Sequence, residues 1–150
     1  MNEPTDHYTA AEYLDLRLDK EQTYFSQRSG INKTYHYGFK ITIITLTVLI
    51  PILTGYLKEY QGVKYIVGII SVALGIVTGL DTFFKFNEKW ISNRNTSEAL
   101  KQEKFLFLTQ SGPYTNNAHV EMLAERVETI LAKENSTWRQ LALDSASKKK

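Results

Sequence analysis

The stretch ITIITLTVLIPILTGYL, residues 41–57, decides the fold class: it runs for seventeen residues without a charge. A second stretch, YIVGIISVALGIVTGL at 65–80, adds sixteen more, and extending it to Phe84 brings in one charge, Asp81. At about 1.5 Å per residue, helices of this length cover roughly 25 to 30 Å, the thickness of a bilayer's hydrocarbon core. The rest of the 150-residue chain is polar, rich in Lys, Glu, Asn, Gln and Thr. An average of 43% hydrophobic and 23% charged residues therefore hides a bunched distribution. It argues against a soluble globular class and against a many-helix transporter. The expected fold is all-α, a two-transmembrane-helix antiparallel hairpin whose helices extend into a cytoplasmic helical bundle. The expected layout is one domain, 1–150, with an N-terminal helix over 1–40, spans over 41–57 and 65–86, an extracytoplasmic loop over 58–64 and cytoplasmic helices over 87–150.

Orientation follows from the cations. The loop KEYQGVK carries Lys58 and Lys64, whereas Lys20, Arg28, Lys33 and Lys40 precede the first span. Lys85, Lys89, Arg94, Lys101 and Lys104 follow the second. Basic flanks favour the cytoplasmic side, so both termini are expected there, with the short loop outside. Tyr56, Tyr60 and Tyr65 then mark the outer interface, with Phe83, Phe84 and Phe86 near the inner one. The Asn-x-Ser/Thr sequons at Asn32, Asn95 and Asn135 would all be cytoplasmic and read as chance matches. The polar first 40 residues contain no secretory signal.

Outside the spans the pattern is helical. Thr9-Ala-Ala-Glu12 is a capping box, and Tyr13, Leu16, Tyr24, Ile31 and Tyr35 are candidate buried positions beyond it. Gly30 and Gly38 each weaken that helix by about 1 kcal/mol. Residues 80–111 contain neither Gly nor Pro, so the second span is expected to continue unbroken into the cytoplasm until Gly112-Pro113 stops it. A last helix follows, with Val120, Leu123, Val127 and Ile130 as one apolar stripe. Trp138, Leu141 and Leu143 extend that contact.

Chemistry of the enzymatic kind is not expected. No cysteine is present, so there is no thiol nucleophile, thiolate metal site or disulfide. His7, His36 and His119 lack ligand spacing, and no HExxH, GxSxG or phosphate-cradling glycine loop occurs. Glu121, Glu125 and Glu128 read as a solvated helix face. No catalytic residue, metal or cofactor is assigned. A net charge of +2 does not point to nucleic acid. The tail at 148–150, KKK, is a solvated end or a weak attraction to anionic headgroups.

The spans say more. Ser71-x-x-x-Gly75-x-x-x-Gly79, together with Gly68, is a small-residue pattern that lets another helix approach closely, either within one hairpin or between protomers. Thr42, Thr45, Thr47 and Thr54 offer hydroxyls in the first span, and Pro51 a kink. Asp81 lies roughly 160° around the helix from Gly79 and shares a stripe with Ser71, Thr78 and Lys85. A local pair with Lys85 explains it most simply. The sharper reading makes Ser71, Thr78, Asp81 and Lys85 the lining of an aqueous path, which needs a homo-oligomer, since two helices cannot enclose a lumen.

Several strings together carry a resemblance. YLDLRLDKEQTYF, the hairpin, KFNEKWISNRNTSEALKQEKFLFLTQSGPY and ERVETILAKENSTW resemble the bacterial domain-of-unknown-function family 4231, within the SLATT superfamily of two-transmembrane domains. The resemblance covers roughly residues 12–138. Its most specific part falls on Trp90, Arg94, Glu98, Leu100, Lys101, Glu103, Gly112, Pro113 and Tyr114. It implies a cytoplasmic helical bundle fused to a membrane hairpin. Related domains are proposed as pore-forming effectors in bacterial conflict systems, often encoded beside nucleotide-second-messenger synthases or sensors. On physical grounds Trp90, Arg94, Glu98 and Lys101 form one helix stripe, read as a polar network joining helices, with Arg94 pairing to Glu98 or Arg17 taking part. The expected function is a homo-oligomeric membrane pore or channel. The alternative is a non-conducting scaffold or signalling adaptor. The expected partners are the lipid bilayer, further copies of the chain and a cytoplasmic sensor or effector protein.

Overall fold

A computed structural model describes residues 9–56, 60, 62–115 and 119–147, with only the helical backbone for 137, 138 and 140–147. His7, Lys58, the tail at 148–150 and the side chains of Trp138, Leu141 and Leu143 lie outside the described residues. The described residues form an all-helical chain, and two of its helices are long and apolar enough to cross a membrane. The elements are α1 (Ala10–Tyr13), a π-helical turn (Leu14–Leu18), α2 (Asp19–Gly55), α3 (Val63–Phe84), α4 (Phe86–Leu108), a 3-10 turn (Gly112–Tyr114) and α5 (Val120–Ser147). The contacts divide them into two compact units. One joins the residues up to Arg28 with those from Ile91 onward, and the other is Ser29–Trp90.

The first unit has a small apolar core. The capping box forms: Thr9 Oγ1 accepts from the Glu12 N–H at 3.3 Å, and Glu12 Oε2 accepts from the Thr9 N–H at 2.9 Å. The wider π turn then resets the helical phase. Leu14, Leu18 and Phe25 consequently join the core, while Leu16 and Tyr24, expected inside, are exposed. Leu18, Leu100, Phe107, Tyr114, Leu123, Val127 and Leu131 form the core, with Ile130 packed partly against it. Of the expected stripe on α5, Leu123 and Val127 are fully buried.

The second unit contains the apolar stretches. Ile31 and Tyr35, expected to be buried, are exposed. Half-buried positions on α2 recur at Asn32, His36, Phe39, Ile43, Leu46, Ile50 and Leu53, and on α3 at Val67, Ile70, Leu74, Val77 and Asp81. Steps alternating between three and four residues place each set on one stripe. The other faces are open: Ile41 is 63% exposed, Ile44 61%, Ile69 70% and Val72 65%, and neither apolar window contains a buried residue. Thr42, Thr45, Thr47, Thr54, Ser71 and Thr82 each donate to the carbonyl four residues earlier, at 2.7 to 3.0 Å. A hydroxyl satisfied by its own helix needs no water, which suits an apolar surrounding. The α2 assignment runs through Pro51 without a break.

The expected unbroken second helix is not found. Lys85 is left-handed, with φ 51° and ψ 43°, and separates α3 from α4. The aromatic residues give the physical reason. Residues two apart on a helix face away from each other, yet Phe84 and Phe86 stack with ring centroids 5.3 Å apart. Phe86 stacks in turn on Tyr35 at 5.3 Å and on Phe39 at 5.4 Å. A residue turned to positive φ between them lets both rings enter one stack. The expected stop at Gly112 also shifts. α4 ends at Leu108, and Gln110 (φ 50°) is the left-handed cap of a Schellman motif, with Ser111 N–H bonded to Leu106 O at 3.0 Å and Gln110 N–H to Phe107 O at 3.1 Å. Gly112, at φ 61°, instead opens the 3-10 turn that presents Tyr114.

Candidate functional site

Three polar constellations stand out. In the first unit, α4 carries Glu103 on its core face, where it is buried. Its Oε2 accepts from the Tyr114 hydroxyl at 2.9 Å and from Arg126 Nε at 2.9 Å, while Oε1 accepts from Arg126 Nη2 at 2.8 Å. The paired Arg126 guanidinium holds the Glu103 carboxyl below the usual carboxylate range, and the Tyr114 hydroxyl adds to this against the effect of burial. Burial, and then the bond to Glu103, push the Tyr114 phenol up to about 12. The bidentate arrangement is the strong form of a charge-assisted bond, and it ties α4, the Gly112–Tyr114 turn and α5 together.

A second constellation lies between α4 and α5. Glu134 is buried, and its Oε2 accepts from Ser92 Oγ at 2.7 Å and Thr96 Oγ1 at 3.1 Å. These residues line a cleft of about 380 Å³ with Asn95, Ala99, Ile130 and Lys133. Elsewhere in this unit Lys104 Nζ reaches both oxygens of Asp19 at 2.7 and 2.8 Å, and Arg17 pairs with Glu21 and Glu128. Arg94 pairs with Glu98 at 2.9 Å along an exposed face, and Lys101 is exposed.

The third is in the second unit. Lys40 Nζ on α2 lies 3.0 Å from Asp81 Oδ2 on α3, and Asp81 is 13% exposed. Asp81 therefore takes its partner from the other helix. Lys85, expected to pair with it, lies 3.5 Å from Glu88, because the left-handed turn carries it off the α3 face. Ser71 and Thr78 are exposed, whereas Asp81 sits on the half-buried stripe. Gly68, Gly75 and Gly79 are off that stripe, and a Cβ built on any of them meets nothing within 4 Å. Trp90 sits in an aromatic and cationic cluster: Lys33 Nζ is 5.8 Å from its ring centroid, His36 6.2 Å and Tyr37 5.9 Å. Two buried polar atoms among the described residues have no hydrogen-bond partner, Tyr13 Oη and His36 Nδ1.

The motif residues thus separate by environment: Leu100, Glu103 and Tyr114 are buried, Arg94, Glu98, Lys101, Gly112 and Pro113 are exposed, and Trp90 is half-buried. The sequence profile described as Protein of unknown function (DUF4231) matches residues 20–121, two thirds of the chain. The chain belongs to that family. No curated protein and no solved structure matches it. The DUF4231 match takes in Trp90 through Tyr114, Lys40 and Asp81, while Arg126 and Glu134 fall beyond it. Reading the sequence missed Lys40, Arg126 and Glu134 as partners. A signal existed for Lys40: the midpoint between it and Asp81 falls at residues 60–61, inside the polar connection between the apolar stretches. Arg126 and Glu134 gave no comparable signal, because they meet their partners only after α5 has packed.

Proposed function

We propose that this chain is an integral membrane protein with two spans in an antiparallel hairpin and both termini cytoplasmic in a bacterial plasma membrane, where its polar helices act as a non-conducting scaffold or signalling adaptor. The observation that carries the reading is the openness of both apolar stretches, with Ile69 70% exposed on α3. A soluble protein of this size does not leave such continuous apolar faces to water, whereas lipid covers them at no cost. The hairpin is supported by pairs whose numbers rise along α2 as they fall along α4 and α3: Ser29 with Trp90, Tyr35 with Phe86, Lys40 with Asp81. The non-conducting role is supported by the spans' polar groups, since six hydroxyls close on their own helices and Asp81 is already neutralised by Lys40. Carbonate washing of membranes tests the first part; recovery of the protein in the aqueous fraction would defeat it.

A homo-oligomeric ion-conducting pore is the second reading, favoured by the bare Gly68, Gly75 and Gly79 face, which leaves room for a second copy to approach closely. Ser71 and Thr78 would then line the path with Asp81 and Lys85. Purified protein in liposomes separates the two. The scaffold gives no ion flux above empty vesicles. A pore conducts, and Asp81→Asn shifts its reversal potential toward anions under a salt gradient.

A further inference from the structure

We propose that the cluster of Lys33, His36, Tyr37 and Trp90, with Lys85 at the same end of the unit, is a docking surface for the phosphate-bearing headgroups of anionic phospholipids on the cytoplasmic leaflet. The proposal rests on the two-span reading above. Depth is the first argument. Lys40 and Lys85 flank the apolar stretches at the same end, as the Lys40–Asp81 contact requires. The headgroup layer adds roughly 5 to 8 Å beyond the hydrocarbon on each side. Seven helical residues from Lys40 to Lys33 cover roughly 10 Å, and the five from Lys85 to Trp90 roughly 7 Å. Trp90 therefore falls within the headgroup layer and the Lys33 backbone just beyond it, while the Lys33 ammonium, 5.8 Å from the Trp90 ring, reaches back to the level of the phosphates.

Composition is the second argument. Trp and Tyr favour this layer because one part of the ring system is apolar and the other polar. Residues 33–40 and 81–90 hold four lysines against Asp81 and Glu88, a net charge of +2 at one end of the unit. The acidic partners leave this attraction in place. Lys40 is taken up by Asp81, but the Lys85–Glu88 pair is long, at 3.5 Å, and about half exposed, so a phosphate can compete for the lysine. Lys33 is exposed and lies over an aromatic face, which leaves its ammonium open to an anion on the other side.

The test uses the full chain reconstituted with equal phosphatidylcholine and phosphatidylglycerol, with retained lipids counted by native mass spectrometry. Each lysine near a membrane surface contributes about fivefold in affinity for anionic lipid. Wild type is expected to retain phosphatidylglycerol at least about fivefold over phosphatidylcholine, and Lys33→Gln or Lys85→Asn to lower this ratio about fivefold each. Asn is chosen at residue 85 because it tolerates the left-handed backbone. Lys64→Gln, at the opposite end, should leave the ratio unchanged. Equal retention of both lipids, or an equal loss with Lys64→Gln, overturns the proposal. Displacement of phosphatidylglycerol by millimolar inorganic phosphate assigns the site to free phosphate and likewise overturns the lipid assignment. Failure to float with vesicles of phosphatidylcholine alone is the separate result that removes the two-span reading, and this proposal with it.

Discussion

Glu103 receives three donors from two side chains and almost no water. Arg126→Ala strips two of those donors and leaves a buried carboxylate with Tyr114 alone. The expected cost is about 2 to 3 kcal/mol, read by chemical denaturation in detergent. Arg94→Ala breaks an exposed pair one turn apart and should cost no more than about 0.5 kcal/mol in the same assay. The pH dependence has two limbs. Because the folded state lowers the Glu103 pKa, its contribution is complete above the unfolded carboxyl value and is lost as acid titrates the folded group. Because the Tyr114 phenol is raised to about 12, its contribution is complete below the unfolded value near 10 and disappears between there and 12. Stability should therefore be flat through neutrality and fall below about pH 4 and above about pH 10. Tyr114→Phe should shrink the alkaline limb, leaving the part that comes from Tyr13, whose phenol burial also raises, and should keep most of the acid one. The Lys40–Asp81 pair makes a sharper prediction. Lys40→Met should weaken the packing of α3 on α2 on the order of 2 kcal/mol, less than for a fully buried pair because Lys40 is half exposed. Lys40→Met with Asp81→Leu should recover most of that loss, as judged by unfolding in mixed detergent micelles.

At the scale of the element, two helix ends depend on residues that seldom adopt positive φ. Gln110→Gly should raise stability by about 1 kcal/mol, since glycine takes the left-handed cap without a Cβ penalty. Gly112→Ala should lower it by about 1 to 2 kcal/mol for the opposite reason, as seen in the denaturation midpoint. These sites also show where sequence reading reaches its limit. The capping box at Thr9, the apolar stretches and the α5 stripe are local patterns, and the structure bears them out. The break at Lys85 is not local: it depends on Tyr35 and Phe39, nearly fifty residues earlier, stacking on Phe86. An absence of Gly and Pro says that a helix can continue, and tertiary packing decides whether it does. Likewise the π turn at Leu14–Leu18 moved the buried face from Leu16 to Leu18 without any residue type that marks it. Of the candidate site, Asp81 was legible as the one charge in an apolar stretch and Glu103 only through the family resemblance; the symmetric position of Lys40 about the loop was a signal left unread, and Arg126 emerged only from the fold.

For the whole molecule, the stripe His36, Phe39, Ile43, Leu46, Ile50, Leu53 on α2 has a consequence for length. Its positions repeat every seven residues, so the average is 3.5 per turn, while an undistorted helix turns every 3.6. Keeping one seam over two heptads obliges the partners to wind about each other with a left-handed twist. The seam can then be lengthened only in whole repeats. A single alanine inserted after Leu46 would rotate everything beyond it by about 100°, and the Ile50 and Leu53 side chains would leave the seam for the surroundings. A full repeat would restore the seam but add roughly 10 Å to each helix, far more than the few ångströms by which natural bilayers differ in thickness. On the two-span reading, the hydrophobic length is therefore fixed by the seam's own periodicity: a thinner membrane would be met by tilting the pair as a whole, and a thicker one by the bilayer thinning around it.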